Sequence, residues 1–448
     1  MTILNESGVP DVVSPLRGLP TLAERLPDTL LVVAGTRADV HLARSLAISL
    51  PGLPVSRIGQ DSSLHPRVTF VVLEPDEEPP EGALASRVIE AAAGSQHTGL
   101  VLLVACRSTA LLGVDASFEA ELAGRRLGLP VRAIASDDGS MGVFTTDLED
   151  AAIRALVELS PQEGLLPEPE EARSYSKGGL LGRLPLGGRA GRRGVSERGA
   201  QRPVVLLGAL PGPREEISAE LSRAGVEVSG AVPDMMSGQL PDIGEGTVVA
   251  SMDPYLAGSW RAAEERGATV VRTLFPIGVD GTARFVQDAV ALAGRTTSEG
   301  GRAREVWREL EPLRNRIRGK RIFFTGDTGL EVPLARFLAG AGAVVVEVGT
   351  PRLEKRFLAA ELSALGEDVD VVEAPDWRAQ LERIDSARPD VVVASPGLYA
   401  PLVARGHLCC SSLSLLSLGV HGYKGARRIL ELFARTFERA EALDALDL

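Results

Sequence analysis

Cysteine is scarce in this chain: Cys106, Cys409 and Cys410 are the whole complement among 448 residues. An odd, low number argues against a disulfide framework and fits a reducing compartment. Histidine is nearly as sparse, scattered as His41, His65, His97, His407 and His421. With no C-x-x-C or H-x-x-x-H spacing, a self-contained zinc site is not expected. Basic residues are outnumbered, and the formal net charge is −12. That balance argues against nucleic acid as a partner, because phosphate binding needs a basic face. No stretch approaches the roughly 20 apolar residues of a membrane span. The opening "MTILNESGVPDVV" lacks a basic region leading into an apolar run, so no secretory signal is expected and the cytoplasm is the expected location. There is no G-x-x-x-x-G-K-[ST] loop to cradle a nucleoside triphosphate and no G-x-S-x-G elbow. "GAGAVVVEVG" (340–349) has a G-x-G, but it precedes a strand-like run and reads as a helix C-cap turn.

Apolar strand-like runs, by contrast, recur before helix-like segments. "TLLVVAG" is followed by "ADVHLARSLAISL", "GLVLLVAC" by "SFEAELAGRRLG", "PVVLLGAL" by "REEISAELSRAG", and "KRIFFTGD" by "LEVPLARFLAGAG". Such alternation specifies parallel sheets covered by helices. The runs fall into three groups, so three Rossmann-like α/β domains are expected. Their bounds are residues 1–160, 203–300 and 301–448, the last ending in a long helix. Residues 161–202 form a Gly/Arg-rich linker bearing Lys177, Arg183, Arg189, Arg192, Arg193 and Arg198. Its composition cannot bury enough apolar area to order itself. It reads as a solvated linker, with an electrostatic tether for an acidic partner as the functional alternative.

Several long strings then follow one another in a fixed order. They are "VVLLGALPGPREEISAELSRAGVEVSGAVPD", "LFPIGVDGTARFV", "GKRIFFTGDTGLEVPLARFLAGAGAVVVEVGTP", "PDVVVASPGLYAPLVARG" and "VHGYKGARRILELF". Together they resemble subunit N of the light-independent protochlorophyllide oxidoreductases, within the nitrogenase-like family. The likeness is clearest over residues 203–436 and weaker over 28–158, where "VFTTDLEDAAIRALV" carries it. The resemblance implies three stacked Rossmann-like domains. It implies pairing with a B-like subunit into an N2B2 heterotetramer, with electrons delivered by a separate iron–sulfur protein that uses the ATP. It also implies a [4Fe-4S] cluster shared with that B-like partner, and protochlorophyllide as substrate, reduced at ring D to chlorophyllide.

The same resemblance implies three cysteine ligands to the cluster from this chain. Matched residue by residue, they fall on Ser14 in "VVSPLRGLP", Asp39 in "GTRADVH" and Cys106 in "LLVACRSTALLGVD". One thiol is present where three are implied. Clusters are held mainly by thiolates, which suit the soft iron–sulfide core, and serine is a poor substitute. Read without the resemblance, Cys106 is a small buried residue at a strand end, Asp39 a turn or N-cap residue, and Ser14 a loop residue. Cys409 and Cys410 read as buried filler, His421 as a helix-start or packing residue, and "FPIGVDGT" as a loop entering a helix, with the lining of a substrate cavity as its functional alternative. No residue can be named as catalytic from the sequence. Two other functions stay open: a cluster-less N-like scaffold or tetrapyrrole-binding regulatory subunit, and a related reductase with another substrate.

Overall fold

The computed structural model describes residues 2–8, 19–26, 28–41, 67–74, 80–95, 98–134, 146–162, 202–208, 213–233, 239–366 and 369–445. Ser14 and nearly all of the Gly/Arg-rich linker lie outside the described residues.

The strands are β1 (Thr2–Asn5), β2 (Thr29–Gly35), β3 (Val68–Val72), β4 (Leu100–Ala105), β5 (Val131–Ala133), β6 (Val204–Leu207), β7 (Val228–Val232), β8 (Val248–Ser251), β9 (Thr269–Val270), β10 (Arg321–Phe324), β11 (Val344–Thr350), β12 (Asp370–Glu373), β13 (Val391–Ala394) and β14 (Cys409–Ser411). They form three sheets, ordered β3-β2-β4-β5, β7-β6-β8-β9 and β1-β12-β11-β10-β13-β14. Their strand pairs run parallel. The reason is legible in the central strands. All residues of β2, β4, β6, β8 and β13 are buried, which only a sheet covered on both faces can achieve. The first strand of the chain does not join the sheet nearest to it in sequence. β1 pairs with β12 at the edge of the third sheet, Thr2 opposite Asp370 and Asn5 opposite Glu373.

The two faces of the first sheet have different covers. Leu30, Val32 and Ala34 of β2 pack into a core with residues of helices Ala83–Ala93 and Ala116–Leu127. Leu31 and Val33 belong to a core that continues through Leu156 and Trp260 to Val205 and Val249 of the second sheet. The first two domains therefore share one apolar core. Asp150, in helix Asp147–Leu159, pins them together. It accepts from Gly258 N (2.9 Å), Ser259 N (2.8 Å) and Ser259 Oγ (2.6 Å) at the start of helix Ala257–Glu265. Side chains at residue 258 are excluded, since a Cβ there would lie 2.8 Å from Asp150 Oδ2.

The second and third domains meet at "FPIGVDGT". As expected, it is a loop entering a helix, Val279–Leu292. Gly278 has φ 78°, and a Cβ on it would sit 2.2 Å from the Phe337 ring. Arg336 and Glu361 form a buried pair beneath the loop (Nε–Oε2 2.5 Å). Glu361 Oε1 accepts from Phe275 N (2.7 Å), and Arg336 Nη2 donates to Ile277 O (2.8 Å). Burial pushes the Glu361 carboxyl upward, against the pull of Arg336.

Replacing Arg336 with Met should leave Glu361 buried without its counter-charge and cost about 3–5 kcal/mol in chemical denaturation at neutral pH. Because the folded-state affinity of Glu361 for its proton would rise further, the loss should shrink as pH is lowered through the carboxylate range. A loss independent of pH would refute this account.

Candidate functional site

Ligands of open parallel sheets gather outside the carboxyl ends of the strands, where the strand order reverses. In the first sheet that point lies between β2 and β4. β2 ends at Gly35, and the loop after it carries Thr36 and a helical turn over residues 37–41 that includes Asp39. The loop after β4 carries Cys106 and then Ser108, within helix Arg107–Leu111. β2 and β4 pair from Thr29 opposite Leu100 to Ala34 opposite Ala105, which sets both loops at one edge. Cys106 N donates to Ala34 O (2.8 Å), and Thr109 Oγ1 donates to the same carbonyl (2.8 Å).

Asp39 and Cys106, predicted as ligands, are brought together here. A Cβ built on Gly35 would lie 2.9 Å from both Asp39 Oδ2 and Cys106 Cβ, so these two atoms are at most about 6 Å apart. Gly35 is the residue that lets the two loops close on one another. Ser14, the third predicted position, lies outside the described residues.

The Asp39 carboxylate is strongly engaged. Its Oδ2 accepts from Thr36 N (2.8 Å), Thr36 Oγ1 (2.7 Å) and Ser108 Oγ (2.5 Å). The first contact is one half of a capping box, in which the third helical residue reaches back to the N-cap amide. Cys106 is buried. Desolvation, and then the nearby Asp39 charge, push its thiol up to about 12. At neutral pH it is a protonated, weakly nucleophilic thiol. Thr36 and Ser108 are not among the residues that the sequence pattern singles out. The T-x-x-D spacing of Thr36 and Asp39 is the available signal for the first, whereas Ser108 meets Asp39 only through the strand pairing.

A second polar cluster lies where the domains converge. His421 caps helix Gly422–Asp444, as its sequence position suggests, and its Nε2 lies 2.7 Å from Asp253 Oδ1, both residues buried. Arg25 pairs with Glu149, whose Oε2 also accepts from Tyr255 Oη (3.3 Å). Burial pushes the Glu149 carboxyl upward while Arg25 pulls it down. Cys409 and Cys410 are buried in β14, far along the chain from this edge, with thiols raised by burial.

Comparison with known proteins defines the setting. The family described as nitrogenase component 1 type oxidoreductase matches residues 87–438. The chain belongs to that family. Light-independent protochlorophyllide reductase subunit N of Heliobacterium modesticaldum is 33% identical, over 98% of this chain and 97% of its own length. The subunit N of Roseiflexus sp. (strain RS-1) is 30% identical, over 99% and 96%. Among solved structures, nitrogenase Cp1 aligns with a TM-score of 0.65 over 96% of this chain and 92% of its own, at 13% identity, a likeness of fold. Among the described residues no helix is long and apolar enough to cross a membrane.

A nitrogenase-type oxidoreductase raises the question of an iron–sulfur cluster. At the β2/β4 edge this chain supplies one thiol and one carboxylate, one of whose oxygens already holds three donors. Among the described residues no group of three His, Cys, Asp or Glu side chains is arranged to hold a metal ion. This donor set does not fit a cluster that asks three thiolates of one chain.

The burial and charge environment make Cys106 inert. In the folded chain at pH 8, its alkylation by iodoacetamide, followed by peptide mass spectrometry, should be roughly a thousandfold slower than that of an unperturbed thiol. Rapid labelling of Cys106 before unfolding would contradict this geometry.

Proposed function

We propose that the chain is the N-type subunit of a light-independent protochlorophyllide reductase, which uses ATP to reduce ring D of protochlorophyllide to chlorophyllide. The observation that carries this reading is similarity to named subunit N proteins over nearly the full length of both chains. In this reading the chain pairs with a B-like subunit as an N2B2 heterotetramer. A separate iron–sulfur protein hydrolyses ATP and donates electrons. The domains follow the sequence reading, residues 1–160, 203–300 and 301–448 joined by the 161–202 linker, except that β1 belongs to the third sheet, and the cytoplasm is the site of action.

The [4Fe-4S] cluster implied between the N-type and B-type subunits would draw on Cys106, Asp39 and Ser14 from this chain. Because the donors described do not suit it, no electron step is assigned to them. A second reading has a specific observation in its favour. A cluster-less N-like scaffold or tetrapyrrole-binding subunit is what the saturated Asp39 Oδ2 would accompany.

The test is anaerobic co-production with a B-like subunit, followed by turnover of protochlorophyllide with the iron–sulfur donor and ATP. A stable complex that forms chlorophyllide supports the first reading. A complex that binds pigment without turnover selects the second, and failure to pair with any B-like subunit defeats both. The isolated chain should hydrolyse no ATP, since it carries no phosphate-binding loop of the Walker type.

A further inference from the structure

The loop after β10 in the third sheet repeats the design of the loop after β2. The third sheet reverses its order between β10 and β13, so this loop also lies at a switch point. It carries Thr328-x-x-Glu331, the same spacing as Thr36-x-x-Asp39. Glu331 Oε1 accepts from Asp327 N (3.0 Å), Thr328 N (2.7 Å) and Thr328 Oγ1 (2.8 Å). In both loops a carboxylate three residues into the turn closes on the threonine amide and hydroxyl that precede it. Both loops also reach a neighbouring segment: Asp39 takes the hydroxyl of Ser108 from the loop after β4 (2.5 Å), while in the third sheet Asp327 takes that of Ser412 (2.9 Å) and Glu331 Oε2 that of Thr350 (3.5 Å). Asp39 thus cross-links the two loops that its position, as a cluster ligand, would have joined through iron.

We infer that Asp39 has replaced a cluster at this edge with a hydrogen-bonded cross-link between the β2 and β4 loops, so that this subunit holds no [4Fe-4S] cluster there. Three considerations support the exchange. The carboxylate bonds a backbone amide that a helix start otherwise leaves without a partner. Hydrogen bonds to an ionised group are stronger than neutral ones. Cys106, the thiol left at the edge, is buried and packed beside Gly35. A metal bound through Asp39 Oδ2 would have to displace the Thr36 and Ser108 donors that this oxygen now holds.

The inference takes from the N-type reading only the correspondence of Asp39 with a ligand position. Its primary test needs no partner. Amide exchange of Thr36 in the full chain should rise about tenfold or more in Asp39→Ala, because the amide loses its acceptor. Ser108→Ala, which removes the donor from the other loop, serves if Asp39→Ala does not fold. It should lower the first thermal transition by about 2–4 °C. That transition should be the same in air as under anaerobic conditions with a chelator. Unchanged Thr36 exchange in Asp39→Ala, or an oxygen-sensitive transition, overturns the proposal.

In the complex with a B-like subunit, iron and acid-labile sulfide should stay far below one cluster per pair. Cluster-stoichiometric iron and sulfide, with visible absorption lost in Cys106→Ala, would overturn it while leaving the N-type reading intact. Absence of any complex would defeat that reading, and Thr36 exchange would still decide the cross-link.

Discussion

Strands buried on both faces leave a problem at their carboxyl ends. The chain must turn out of a dry sheet, and each amide it exposes there needs an acceptor that water cannot supply. The structure answers with carboxylates. Asp39 closes the loop after β2, Glu331 the loop after β10, and Asp150 the start of the helix after β8. A carboxylate suits this task because one oxygen accepts several donors and because its charge opposes the positive end of the helix that follows. At the half-buried Asp150, desolvation raises the carboxyl while the amides and hydroxyl around it pull the other way.

The same carboxylates hold the domains to one another. Asp150 belongs to a helix between the first two sheets and caps a helix of the second domain. Glu361, of the third domain, takes the Phe275 amide of the loop that enters helix Val279–Leu292 of the second. His421 of the third domain meets Asp253, which follows β8 of the second. Apolar burial supplies the bulk of the cohesion, since the Leu31–Val205–Trp260 core runs unbroken between two domains. The directional contacts decide how those cores are set against each other. This division explains why one glycine after another at the contacts is obligatory: Gly258 leaves room for Asp150, and Gly278 for Phe337.

Function follows from the same constraint. A nitrogenase-type fold offers several switch points at which a metal group or a substrate can be set. In this chain the first of them is lined by Asp39, engaged by Thr36 and Ser108, and by the buried Cys106. An electron path that relied on this edge would need softer donors than it now presents. What the chain retains in full is the scaffold: three parallel sheets, the covered central strands and the interdomain contacts.

The strand–helix alternation determined the parallel-sheet class, because runs such as "TLLVVAG" and "GLVLLVA" have no polar face to show to water. Motif order over the later part of the chain carried the family, because long strings in sequence constrain ancestry more than any single residue. The adjacency of Asp39 and Cys106 followed from topology, as both end neighbouring parallel strands. Two things lay beyond such reasoning. The placement of β1 beside β12 depends on a pairing between residues more than 360 positions apart, for which a four-residue strand carries no local mark. The role of Asp39 was decided by Ser108, whose hydroxyl reaches it only when β2 and β4 are in register. Local pattern names the residues able to accept a hydrogen bond; the register of the sheet selects the donor.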